Sequence, residues 1–123
     1  MTYFTSAVDE SYTREFKAAD SLTGGMFTAV ELTGDGVVTA GESSIPLGIL
    51  LEDPTDDDTV TIQIDGGGLW VSGEALTAGD LLAAGASGVA VKATSGKFIF
   101  AQALEDVPAN TAAHVQIIRG GKA

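Results

Sequence analysis

Thr59-Val60-Thr61-Ile62-Gln63-Ile64-Asp65 alternates apolar and polar residues without a break, and Gly66-Gly67-Gly68 follows it. A period of two marks a half-buried strand, so Val60, Ile62 and Ile64 are expected on one buried face, with the glycines ending the strand. Much of this neighbourhood returns 53 positions later. Leu51-Glu52-Asp53 recurs as Leu104-Glu105-Asp106, and Gln63-Ile64 recurs at the same offset as Gln116-Ile117. Leu22-Thr23-Gly24-Gly25-Met26 has a looser echo in Leu76-Thr77-Ala78-Gly79-Asp80, as Gly36-Val37-Val38 has in Gly88-Val89-Ala90. Such a repeat means one supersecondary unit used twice, with halves that complete each other's core. The repeats run over about 22–65 and 76–119, with Gly66-Gly67-Gly68 marking the join.

Away from that strand the chain reads as further short strands and glycine turns. Met26–Leu32, Val37–Thr39, Ile45–Leu51, Leu69–Ser72, Val89–Lys92, Phe98–Leu104 and Val115–Arg119 are strand candidates. Gly34-Asp35-Gly36 has the chemistry of a tight hairpin turn. Leu76–Ala86 is the best helix candidate, but Gly79 and Gly85 each cost about 1 kcal/mol relative to alanine there. The expected fold is all-β, a small pseudo-two-fold barrel or sandwich-like body at 21–123, preceded by an extended N-terminal arm at 1–20. That arm has no glycine or proline and carries Tyr3, Phe4, Tyr12 and Phe16. Tyr12, Phe16 and Ala19 could share one face of a short helix, and the segment reads equally as an extended arm. Four aromatics suit a segment that docks, on its own body or on a partner.

Charge and composition exclude several functions. The net charge of -11 is unevenly spread: no basic residue lies between Lys17 and Lys92, an interval holding most of the acids. From Lys92 onward Lys92, Lys97, Arg119 and Lys122 outnumber Glu105 and Asp106. A surface this acidic repels phosphate backbones, so no nucleic-acid partner is expected. The charge serves solubility, or the basic second half of one copy meets the acidic first half of another, head to tail. On that second reading Lys92, Lys97, Arg119, Asp56, Asp57 and Asp58, together with Trp70, are the subunit-contact candidates. Cysteine is absent, which removes thiol chemistry and Cys-ligated zinc. No targeting segment is visible, and the most apolar window, Ile45–Leu51, is far too short to span a membrane.

No catalytic set stands out. Asp53 and Asp56-Asp57-Asp58 form the densest acidic loop, but the glycine and terminal glutamate of an EF-hand are missing. His114, the one histidine, sits at the position matching Thr61, with no serine–acid constellation beside it. A carboxylate pair for glycoside chemistry is conceivable, without an aromatic-lined cleft to hold a sugar. Gly66-Gly67-Gly68-Leu69-Trp70 lacks the lysine and helix of a phosphate loop. Trp70 fits a core or interface position better than a ligand platform. No enzyme activity, cofactor or metal is expected.

The order of motifs resembles the small capsid decoration (cement) proteins of tailed bacteriophages and, more distantly, the lambda-type head decoration protein. The residues carrying it run from Leu22-Thr23-Gly24-Gly25-Met26-Phe27 through Val37–Ala40 and Pro46-Leu47-Gly48-Ile49-Leu50 to the strand Thr59–Asp65. Leu76-Thr77-Ala78-Gly79-Asp80-Leu81 and Ala101–Leu104 complete it, so that it covers about 20–119. The resemblance implies a non-enzymatic protein, made in the host cytoplasm, that sits as a homotrimer on the outer surface of an icosahedral capsid. There it clamps neighbouring major capsid subunits, the arm from Thr2 to about Asp20 lying along the shell. The rival is a small β-barrel module binding carbohydrate or, with calcium, another ligand through the Asp53–Asp58 loop or Trp70.

Overall fold

The computed structural model describes residues 12–22, 24–42, 44–53 and 59–123. Among these described residues ten strands run in chain order: β1 (Tyr12–Lys17), β2 (Ala29–Thr33), β3 (Gly36–Thr39), β4 (Gly48–Leu50), β5 (Thr59–Asp65), β6 (Gly67–Val71), β7 (Leu81–Ala84), β8 (Ala90–Lys92), β9 (Phe98–Ala103) and β10 (Ala112–Lys122). They form two five-stranded antiparallel sheets, ordered β1-β5-β4-β2-β3 and β6-β10-β9-β7-β8. Adding five to each strand number turns the first order into the second. The internal repeat is therefore a repeat of architecture, and the body is all-β and sandwich-like.

Each sheet curls until its two outer strands meet. Ala18, just past β1, bridges Val37 of β3 in parallel, and Ser72, just past β6, bridges Ala90 of β8 in the same way. Ala19 N–H donates to Val37 O at 2.9 Å and Gly73 N–H to Ala90 O at 2.7 Å, so both closures use the same bond. Closing a sheet this way leaves fewer backbone groups open to stray pairing.

β5 spans the whole of the strand read from its alternation, with Val60 and Ile62 fully buried and Ile64 half-buried. One residue then carries the chain from the first sheet to the second: Gly66, whose φ of +95° is open to glycine. The Gln63 side chain braces this crossing, donating to Asp65 O at 3.1 Å and Gly67 O at 2.8 Å. A Cβ on Gly68 would fall on the Gln63 carboxamide, which is why glycine follows.

Two elements differ from the sequence expectation. Tyr12–Lys17, assigned to the arm, is a strand of the body, paired antiparallel along β5 from Lys17↔Thr59 to Tyr12↔Asp65. The best helix candidate contains instead strand β7, with a 3-10 turn at Ala86–Gly88 after it. Its flanking glycines act as turn residues: Gly79 has φ +94°, and Gly85 N–H closes on Val89 O at 2.7 Å.

The core has two parts. Ala18, Leu22, Val30, Val37, Leu50, Val60 and Ile62 fill the first unit, with Phe16, Leu47 and Ile64 packed on them. The larger part centres on Trp70, Leu82, Phe100, Val115 and Ile117 of the second unit, and also takes in Ala29, Ala40 and Ile49 of the first. Adjacent residues thus divide between the cores: Val30 and Leu50 face inward, while Ala29 and Ile49 face the second unit. Both faces of the first sheet are buried in this region.

Candidate functional site

The repeated motifs prove to be a structural tie used twice. Glu52 accepts the Thr61 N–H at 2.6 Å, and Glu105 accepts the His114 N–H at 2.9 Å, the two acceptors and two donors related by the repeat. Asp53 accepts the Gly24 N–H, and Asp106 accepts the Ala78 N–H at 2.8 Å. Each Leu-Glu-Asp thus fastens the following strand with its glutamate and the Leu-Thr turn with its aspartate. Carboxylates bonded to backbone N–H groups are among the stronger hydrogen bonds. Asp53, a candidate calcium ligand, is used in this way, while Asp56, Asp57 and Asp58 lie outside the described residues. Among the described residues no three metal-ligating side chains cluster.

The second copy adds a side-chain bond, His114 Nδ1 to Glu105 Oε2 at 2.7 Å. The backbone bond from His114, then its ring, hold the Glu105 carboxyl below its ordinary value of 4.5. A depressed carboxylate stabilises the fold above its unfolded-state value, and that contribution disappears as pH falls through the folded value. The urea midpoint is therefore expected to drop as pH falls below 4.5, and Glu105→Gln should flatten part of that drop. An identical acid limb in the variant would show that the tie contributes nothing.

Trp70 is fully buried. Its Nε1–H donates to Gly88 O at 2.8 Å, and its ring meets Phe100 edge-on at 5.5 Å. Burial removes it from any surface where a ligand or a neighbouring subunit would touch it. Arg119, a candidate for contact between subunits, is spent within the chain. Its guanidinium donates to Pro46 O at 3.2 Å, Leu47 O at 2.6 Å and Ile64 O at 2.7 Å, and lies 5.0 Å from the Phe100 ring centre. All three carbonyls belong to the first unit, so this cation locks one unit to the other. The planar fork of a guanidinium offers five N–H donors in a fixed geometry, which suits carbonyls from two separate segments.

Lys92 is exposed on β8 and Lys97 half-buried before β9. Tyr12 is exposed on β1, whereas Phe16 packs against the first core. Tyr3 and Phe4 lie outside the described residues. Reading the sequence missed Ser72, fully buried, whose Oγ donates to Pro108 O at 2.7 Å and accepts the Thr111 N–H at 3.1 Å. It pins the loop between β9 and β10.

An open groove of about 650 Å³ lies between the units, lined by Leu22, Met26 and Thr39 on one side and Val71, Ser87 and Val89 on the other. Among the described residues no titratable side chain lines it. The described surface thus offers shape and hydroxyl groups in this groove, but no acid–base pair.

Compared with solved structures, the chain is similar to the N base of head fiber gp8.5 of bacteriophage phi29. The TM-score is 0.68 at 20% identity, over 92% of this chain and 98% of that one. The fold is shared. No protein-family model matches the chain, and no curated protein matches it significantly.

Proposed function

We propose that this chain is a non-enzymatic structural protein of a phage virion, bound to the outer surface of the capsid. The observation that carries the reading is the likeness to a phage head-fiber base along nearly the full length of both chains. Cement proteins, which the motif order resembles, and head-fiber bases share one requirement: a stable body held on a protein shell. The repeated ties, the interlocked units and the net charge of -11 suit such a body.

In this reading the protein clamps neighbouring major capsid subunits as a homotrimer, and the segment before β1, with Tyr3 and Phe4, is the element that grips the shell. Three linked contacts multiply avidity even where each is weak. Co-sedimentation with expanded heads of the cognate capsid protein tests this. The full chain is expected to pellet with the heads, and a variant lacking residues 1–11 to remain in solution with its circular dichroism unchanged. A full chain that stays in the supernatant overturns the capsid reading. A truncated chain that binds undiminished overturns the role of the arm.

A further inference from the structure

We propose that the groove between the units is a binding site for the chain's own N-terminus, residues 1–8 folding back along β1 to lie in it in the free protein. The proposal goes beyond the capsid reading and does not rest on it.

The two units differ at this groove. In the second, Gly79 N–H donates to Ala103 O at 2.8 Å and Ala103 N–H to Asp80 O at 2.9 Å. In the first, Phe27 N–H donates to Leu50 O at 2.7 Å and Leu50 N–H to Thr28 O at 2.9 Å, so Phe27 stands where the second unit has Gly79. Both are left-handed, Gly79 at φ +94° and Phe27 at φ +65°. Glycine adopts that conformation freely, and a bulky residue is strained in it. The first turn is also longer: Phe27 comes five residues after the buried Leu22, and Gly79 three after the buried Leu76. The added length carries Met26, 40% exposed, into the groove wall. Half-buried Phe27, next to it, belongs to neither core. On the other wall Ser87 is left-handed as well, at φ +60°, and among the described residues its hydroxyl has no partner. Strained non-glycine residues collect at ligand clamps, and two of them flank this one groove.

Charge and reach select the occupant. The described lining is apolar side chains, hydroxyls and glycine. Acids stand beside it: Asp20 accepts the Ser21 N–H, Asp53 the Gly24 N–H, and Glu42 follows Gly41. An occupant with negative charge is repelled there. In a chain of net charge -11, residues 1–8 read Met-Thr-Tyr-Phe-Thr-Ser-Ala-Val, with no charged side chain and the same mixture of apolar groups and hydroxyls as the groove. Tyr3 and Phe4 supply the apolar area to bury. Ser21, in the groove wall, lies nine residues after Tyr12, and Tyr3 lies nine before it. A segment that turns back ahead of Tyr12 and runs beside the extended β1 therefore brings Tyr3 to the groove, and the bend at Ala19 and Asp20 shortens the path enough to leave residues for the turn. β1 is the outer strand of its sheet, the kind of edge along which an extended segment lies by main-chain pairing. Because the segment is tethered, a weak site is enough to hold it.

The chain has no cysteine, so Ser87→Cys places a single thiol in the groove wall. Its reaction with a small maleimide is compared in the full chain and in a form lacking residues 1–11, both checked for folding by circular dichroism. The full chain is expected to react about tenfold more slowly, because a seated arm must leave before the thiol is reached. Tyr3→Ser with Phe4→Ser in the full chain is expected to react as fast as the shortened form. Thr2→Cys combined with Ser87→Cys, treated with a short bis-maleimide, is expected to link within one chain and keep the monomer mass. Equal rates with and without residues 1–11 would mean that the groove serves another partner, and links formed only between chains that it takes the arm of a second copy. Either result, or full protection in the Tyr3 and Phe4 variant, overturns the proposal. Thr39→Cys, on the first wall, replaces Ser87→Cys if that variant does not fold. All of these readings use the free protein, so they hold whether or not the chain binds a capsid.

Discussion

Trp70→Ala is expected to lower the free energy of unfolding by about 3–5 kcal/mol, the usual range for truncating a large buried aromatic. Three losses coincide at this position. The fully buried ring leaves a cavity in the larger core, which the first unit shares through Ala29 and Ile49. The edge-on contact with Phe100 disappears. The Gly88 carbonyl loses its donor, Trp70 Nε1, and a stranded buried acceptor costs about 1–3 kcal/mol. Gly88 is also the residue pressed against Ala29, so loosening it weakens the junction between the units. Urea unfolding followed by circular dichroism measures the loss, and Trp70→Phe, which keeps most of the volume, separates the hydrogen bond from the packing. A loss below about 1 kcal/mol in Trp70→Ala would contradict the packing described here.

How far the fold could be read ahead follows from where each strand finds its partners. β5 is central, buried and regularly alternating, so its ends were visible as Thr59 and Asp65. β10 runs beyond its expected bounds because the pairing with β9 shifts between Ile117 and Gly121 and then resumes. No simple alternation survives such a shift. β1 was hidden by its own chemistry: as an outer strand it keeps Thr13, Arg14, Glu15 and Lys17 exposed, and only Phe16 reaches the core at the edge. Tyr12, Phe16 and Ala19 happen to fall at helical spacing, whereas the contacts that count are Phe16 and Ala18, two apart. β7 consists of Leu and Ala, which carry no strand preference of their own; β8 and β9 on either side decide its state.

The candidate site was legible in a different way. The repeat pointed at Leu-Glu-Asp without saying what it does, because its role is to accept backbone N–H groups from residues far away in sequence, such as Ala78 for Asp106. Arg119 was recognisable as one of few cations, and its inward direction was not, since three carbonyls on another unit carry no sequence signal. Phe27 becomes conspicuous only once Gly79 is known to hold the same place in the second unit.

Deleting residues 1–18, a cut at the end of the arm as the sequence suggests it, is expected to damage the body as well as remove the arm. The cut takes out β1, with its antiparallel pairing along β5 from Tyr12 to Lys17, and with it Phe16 and Ala18 from the first core. It also removes the bridge from Ala18 to Val37 that closes the first sheet. β5 becomes an open edge carrying Val60 and Ile62, and each core side chain newly reached by water forfeits about 1.5–3 kcal/mol. Unpaired edges of this kind invite aggregation. The cut at residue 11 spares all of this, since β1 begins at Tyr12. Thermal unfolding of the two truncations side by side is therefore expected to give a midpoint close to the full chain for the shorter deletion. For the longer one it should give a large drop or an insoluble product. Equal midpoints would mean that β1 contributes nothing to the body, and that capsid-binding losses in either truncation report on the arm alone.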